Sequence, residues 1–160
     1  MSWSGRITKA DMTEILFYHL TESKLEDALP PLIDKSVERG WKVVLQTSDD
    51  QRRDVLDSLL WTWREDSFLP HGTDAMPHSG DQPVLLTATA SNDNQATVRF
   101  LVDGAEPPAL EGYDRVVFMF DGYDTAQLAK ARTQWKTLKD QGHNLTYWQQ
   151  NQEGRWEKKG

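Results

Sequence analysis

Short apolar runs alternate with amphipathic stretches along this chain of 160 residues. Ile15-Leu16-Phe17-Tyr18-His19-Leu20 is β-branched and aromatic, a run suited to a buried strand. Residues 22–39 have helical character, interrupted at Pro30-Pro31, and they stop at Gly40, a residue that readily ends a helix. Trp41 to Gln46 reads as a second strand, and Ser48 or Asp49 is placed to cap the helix that follows. A strand–helix–strand–helix opening favours parallel strands joined by crossovers. From Phe68 to Pro83 the chain is rich in Gly, Pro, His and Asp and predicts a long loop. Strands are expected over 84–88, 97–102 and 115–120. The first two are joined by Ser91-Asn92-Asp93-Asn94-Gln95, which predicts a hairpin. A long helix is expected from Thr125 to Gln141 and a last strand over 144–150. The pattern therefore predicts one α/β domain over residues 12–160, with a mixed, mostly parallel sheet and helices on both faces. Residues 1–11 are polar and aperiodic, and are expected to form a disordered extension.

Charge narrows the functional classes. With 18 Lys+Arg against 25 Asp+Glu the net charge is −7, which argues against a face-wide basic surface for duplex nucleic acid. There is no cysteine, so disulfides, thiolate catalysis, zinc fingers and iron–sulfur clusters are excluded. No run of about 18 apolar residues is present, and the first eleven residues lack the apolar middle of a secretory signal. A cytoplasmic protein without a membrane span is the expectation. Seven Trp in so acidic a chain suggest aromatics to spare for interfaces.

Catalytic signatures are sparse. The crossover after the first strand, His19-Leu20-Thr21-Glu22-Ser23-Lys24, contains no glycine, whereas a backbone approaching a pyrophosphate needs one there. No phosphate-cradling loop and no serine nucleophile elbow occurs. The best metal candidate is His71, Asp74, His78 and Asp81, whose imidazole and carboxylate groups suit zinc or manganese. Their spacing matches no helical ligand pair, and Gly72, Pro77 and Gly80 lie among them, so a solvated polar loop is the favoured reading. A metal- or nucleotide-dependent enzyme using the His71–Asp81 loop is the alternative function. Direct single-strand binding by aromatics and lysines conflicts with the net charge.

Two helices carry more than a core requires. On the helix after Asp49, at about 100° per residue, Val55, Leu59, Trp63, Leu56 and Leu60 form one stripe centred about 70° from Val55. Trp61 then falls almost opposite it. Either Trp61 faces a partner, as hot-spot aromatics do, or the helix ends by residue 60 and the indole folds under the next loop. On the helix from Thr125 to Gln141, Leu128, Ala131, Trp135 and Leu138 make a buried stripe. Arg132, Lys136 and Lys139 make a basic stripe beside it, with Trp135 on the boundary and Lys130 adding charge. An indole beside an Arg and two Lys suits an acidic peptide with one large apolar side chain; a solvated face with Trp135 in the core is the plainer alternative.

Several blocks together resemble the chi subunit of the bacterial DNA polymerase III holoenzyme. They are Phe17-Tyr18, Gly40 before the Lys42–Leu45 strand, Leu60-Trp61 with Ser67-Phe68-Leu69-Pro70-His71, Arg132-x-x-Trp135-Lys136, and Gly142-x-Asn144-Leu145. The resemblance runs from Met12 to about Gln150. It implies a Rossmann-like three-layer sandwich and a non-enzymatic clamp-loader accessory subunit without a cofactor. It also implies binding of the acidic C-terminal tail of single-stranded DNA-binding protein, with Arg132, Trp135 and Lys136 at the tail-binding positions and Lys130 and Lys139 flanking them. Trp135 stands where the family usually has Tyr. Trp61 and Phe68, with Leu69 and Pro70, match a second family surface that binds the psi subunit or a helicase.

Overall fold

The computed structural model of the chain describes residues 13–63, 70–77 and 79–160. Eight strands form one sheet: β1 (Glu14–Leu20), β2 (Val43–Gln46), β3 (Gly72–Thr73), β4 (Val84–Thr87), β5 (Val98–Leu101), β6 (Arg115–Asp121), β7 (Asn144–Gln150) and β8 (Trp156–Lys158). Their order across the sheet is β3-β4-β2-β5-β6-β1-β7-β8, parallel throughout except for the antiparallel β7–β8 edge. The helices are α1 (Leu25–Glu38), α2 (Asp50–Thr62) and α3 (Thr125–Asp140). Leu29 and Ile33 of α1 and Leu56 and Leu60 of α2 pack on one face, while Ala131 and Leu138 of α3 pack on the other. This is the expected three-layer α/β sandwich. Both faces being covered, the central strands β2, β4 and β5 are buried at every position.

Local chemistry sets the helix limits. Asp49 caps α2 by accepting from the Arg52 amide at 2.8 Å, and Asp124 caps α3 by accepting from Gln127 at 3.0 Å. Gly40 follows α1 at φ +82°, the left-handed conformation that closes a helix. The expected break at Pro30-Pro31 does not occur, because α1 runs through both prolines. Only two helical amide donors are lost, and Leu29, Pro30 and Ile33 are buried against the sheet in return. The expectation for residues 1–11 lies outside the described residues.

The hairpin expected between 84–88 and 97–102 is not formed. β4 and β5 both pair parallel to β2, which lies between them, with Val43 level with Val84 and with Val98. Residues 88–97 instead run back along the sheet as a strap, where a crossover helix would ordinarily lie. Arg99 holds this strap from β5. Its buried guanidinium donates to the carbonyls of Thr89 at 2.8 Å and Ser91 at 2.9 Å, to Gln46 Oε1 at 2.7 Å and to Tyr113 Oη at 3.0 Å. Asn94 adds bonds to the Val43 and Gln82 carbonyls at 3.0 and 2.9 Å. The polar turn residues that imitate a hairpin thus serve long-range bonds.

The stripe on α2 is narrower than expected and rotated. Val55 is exposed and Leu59 half-buried, while Leu56 and Leu60 make the core contact. Arg53 takes the remaining inward position, its guanidinium 2.9 Å from Asp74. The buried arc is therefore centred about 120° from Val55 rather than about 70°.

Replacing Arg99 by Met would leave buried acceptors unsatisfied on three sides. Urea denaturation should show the unfolding free energy reduced by about 3 kcal/mol or more.

Candidate peptide-binding groove

The register of β1 with its neighbours assembles an aromatic floor under α3. Phe17 lies level with Phe118 of β6 and Tyr147 of β7, and its ring stacks on Phe118 at 4.6 Å between centroids. Trp135 meets Phe17 edge-on at 5.3 Å and Tyr147 at 5.5 Å. Two of the expected stripe residues, Ala131 and Leu138, are buried; Leu128 and Trp135 are half-buried because they border an opening. That opening is a groove of about 370 Å³ lined by Phe120, Leu128, Ala131, Arg132, Trp135 and Tyr147.

Arg132 stands at the lip of this groove, exposed and, among the described residues, without a carboxylate partner. Lys136 and Lys139 are exposed on the same side of α3, about 40° and 20° from Arg132 around the helix axis. Lys130 does not join them. It lies about 160° away and binds Glu106 at 2.6 Å and the Gly104 carbonyl. The arrangement combines an apolar hollow with a free guanidinium at its edge. Its chemistry suits a carboxylate attached to a large apolar side chain.

Three residues escape a reading based on helix periodicity: the wall residues Phe120 and Tyr147, and His19 in contact with both. They arrive from β6, β7 and β1, and only the strand register brings them under α3. The Tyr147 hydroxyl lies 2.7 Å from His19 Nδ1, and the His19 ring stacks on Phe120 at 4.8 Å. Gly122 makes room for that imidazole, since a Cβ there would fall 2.2 Å from His19 Nε2. Burial lowers the His19 pKa from its ordinary value, and the charge of Arg132 lowers it further. Burial raises the Tyr147 phenol in turn.

The other expected site residues lie elsewhere. Trp61 is 48% exposed on α2, which continues through Thr62, and its ring centroid sits 4.4 Å from that of His71. Pro70 is half-buried, whereas Phe68 and Leu69 lie outside the described residues. Of the metal candidates, buried His71 turns Nε2 to the Asp57 carbonyl at 3.0 Å. Asp74 is held by Arg53 and accepts from Thr87 Oγ1 at 2.6 Å. His78 lies outside the described residues, and no cluster of three potential metal ligands occurs among the described ones. The turn after β1, where a doubly wound fold would meet phosphate, is also engaged. Its amides at Thr21, Glu22 and Ser23 all donate to Gln150 Oε1, at 3.2, 3.0 and 3.0 Å.

Fold and site together define an α/β domain that carries an aromatic groove with a cationic lip beside α3 and uses the amides after β1 to hold Gln150. The sequence profile of the family described as DNA polymerase III chi subunit, HolC, matches residues 12–146, and the chain belongs to that family. It is 30% identical over 91 residues to the "Probable DNA polymerase III subunit chi" of Rickettsia prowazekii (strain Madrid E). That match covers 57% of this chain and 55% of the Rickettsia protein. It is 24% identical over 137 residues to the DNA polymerase III subunit chi of Pseudomonas aeruginosa (strain PAO1), covering 84% of this chain and 94% of that protein. Membership assigns the chain to the replication accessory subunits. No helix among the described residues is long and apolar enough to cross a membrane.

The lowered His19 pKa has a stability consequence. Neutral imidazole is favoured in the fold, so stability is greatest above the ordinary value of 6.5 and declines as pH falls below it toward the folded-state pKa. An NMR titration of the imidazole C–H signals should place His19 below 6.5 in the wild type and nearer 6.5 in Arg132→Ala. An identical midpoint in the two proteins would remove Arg132 from the field of the groove.

Proposed function

We propose that this chain is a non-catalytic adaptor that ties the polymerase III clamp loader to single-stranded DNA coated by its binding protein. It does so by holding the acidic C-terminal tail of that protein in the α3 groove. The observation carrying this reading is the juxtaposition of the Phe120–Trp135–Tyr147 hollow with Arg132, which has no carboxylate of this chain to neutralise it among the described residues. A terminal apolar side chain fills the hollow and its carboxylate takes Arg132 bidentately. Lys136 and Lys139 lie one and two turns farther along the same side, where they neutralise the acidic residues leading into the terminus. Lys130, bound to Glu106, takes no part. The indole of Trp135 offers the same flat wall as the tyrosine usual in the family.

Peptide capture needs no cofactor and no chemistry, and it takes place in the cytoplasm where replication proceeds. The enzyme alternative loses its support in the loop at His71, because His71 and Asp74 are turned to Asp57, Arg53 and Thr87. Binding of a tail peptide ending in Phe should weaken by about tenfold or more in Arg132→Ala and should fall as salt rises. Equal affinity of the two proteins in calorimetry would overturn the assignment.

A second contact involves the α2 side. Trp61 keeps half its surface open at the end of a helix whose core contact is made by Leu56 and Leu60. The family surface for the psi subunit, or a helicase, is proposed here, with Trp61 and Pro70 and with Phe68 and Leu69 assigned to it by the family resemblance alone. Trp61→Ala should lose co-purification with that partner while keeping full affinity for the tail peptide; unchanged recovery of the partner would rule this surface out.

A further inference from the structure

The opposite face of the sheet carries a second aromatic and cationic groove. Tyr147 and Trp148 are adjacent on β7 and so point to opposite faces; Tyr147 serves the α3 groove and Trp148 lines this one. The cavity, about 250 Å³, lies between α1 and the β7–β8 edge. Leu32, Phe100 and Val117 supply its apolar floor. Tyr18 meets Trp156 edge-on at 4.9 Å and stacks against Trp148 at 6.2 Å. Trp148 and Trp156 both lie beyond residue 146, where the family match ends.

Three cations line the same cavity: Lys35 in the last turn of α1, Arg39 at its C-cap, and Arg115 at the start of β6. Arg39 and Arg115 approach one indole, with their Cζ atoms 5.1 and 4.9 Å from the centre of the Trp41 ring. Glu14 pairs with Arg115 at 2.9 Å, while Lys35 and Arg39 have no ion pair among the described residues. Burial raises the pKa of the Tyr18 phenol, with Arg115 and Arg39 acting to lower it and Glu14 to raise it. The buried Trp148 Nε1–H has no acceptor among the described residues. Glu14 offsets one of these three charges, which leaves a net positive edge suited to an anion. The hollow has room for one large side chain and adjoining backbone, and the three cations stand at its side.

We propose that this groove is a second peptide-docking site, taking an internal acidic segment with one large apolar side chain: the side chain seats over Leu32, Phe100 and Val117, and flanking carboxylates bind Lys35, Arg39 and Arg115. Nucleic acid is the less fitting occupant. It needs a continuous cationic track with several open rings, whereas this is a single hollow in a chain of net charge −7.

The test uses the full chain and the blocked peptide acetyl-DDFDD-amide, which has no terminal carboxylate for the α3 groove. Its titration should shift the indole N–H signals of Trp148 and Trp156 in heteronuclear NMR spectra. Affinity should drop by about tenfold or more in Lys35→Glu and in Arg39→Glu, both exposed positions, and stay unchanged in Arg132→Ala. The all-polar peptide acetyl-DDGDD-amide should leave the two indole signals unmoved. Immobile Trp148 and Trp156 signals with the Phe peptide, or full affinity in both α1 variants, would overturn the proposal. A short oligothymidylate that shifts these signals where the peptide does not would overturn it in favour of nucleic acid. Because Arg132→Ala separates the two grooves, failure here leaves the tail-binding reading intact.

Discussion

Phe17 determines where everything on the α3 side can stand. It is completely buried in β1, between β6 and β7, with its ring stacked on Phe118 and touched edge-on by Trp135. A slip of one residue between β1 and either neighbour would send Phe17 to the α1 face and Tyr18 to the α3 face. Trp135 would lose its support, and the spacing that opens the hollow beside Arg132 would close. The geometry of a surface groove therefore rests on a pairing register in the middle of the sheet. Parallel pairing in a sheet covered on both faces makes that register expensive to change, since every slipped side chain meets a packed layer.

The same alternation explains how one edge of the sheet can carry two grooves. β7 lies next to the sheet edge with only β8 outside it, and most of its side chains are only half-buried. Tyr147 and Trp148 thus keep partly open rings on opposite faces, each backed by an aromatic of β1: Phe17 behind the first, Tyr18 behind the second. β8 pairs antiparallel outside β7 and adds Trp156 to the second groove. Cations come from the helix on each face, Arg132 from α3 and Arg39 from α1. Net acidity and local cationic sites are compatible because the acids are spread over the whole chain, while these positive groups are gathered beside the two grooves.

Helices were the legible part of the sequence, for a physical reason. A 3.6-residue period is written in consecutive residues, so the stripe of Leu128, Ala131, Trp135 and Leu138 and the adjoining Arg132 and Lys136 are visible without tertiary structure. The far wall is a different matter. His19, Phe120 and Tyr147 come from three strands separated by a hundred residues or more of chain at the widest, and no local pattern records which strand is paired with which. The strap at 88–97 imitates a hairpin for the same reason. Its Asn and Ser residues look like turn formers, but the acceptors that matter answer to Arg99, a charged residue that local hydropathy would place outside. On α2 Arg53 lies inward in contact with Asp74, while Val55 lies outside the buried arc, an arrangement that hydropathy alone does not record.

Gln150 occupies the turn at which a doubly wound fold would meet phosphate. Successive amides after β1 converge on one point, a geometry that favours an anion. Here the point is occupied by the amide oxygen of Gln150, and the side-chain nitrogen of the same residue donates to Ser23 Oγ at 2.9 Å. The neutral side chain satisfies three donors, closes the turn without glycine and ties β7 to the end of β1. That tie supports Tyr147 three residues away, and with it the wall of the α3 groove. A residue that fills the phosphate position of the doubly wound fold therefore also helps to fix the aromatic surface that replaces it, so the loss of one kind of site and the making of the other are parts of the same packing solution.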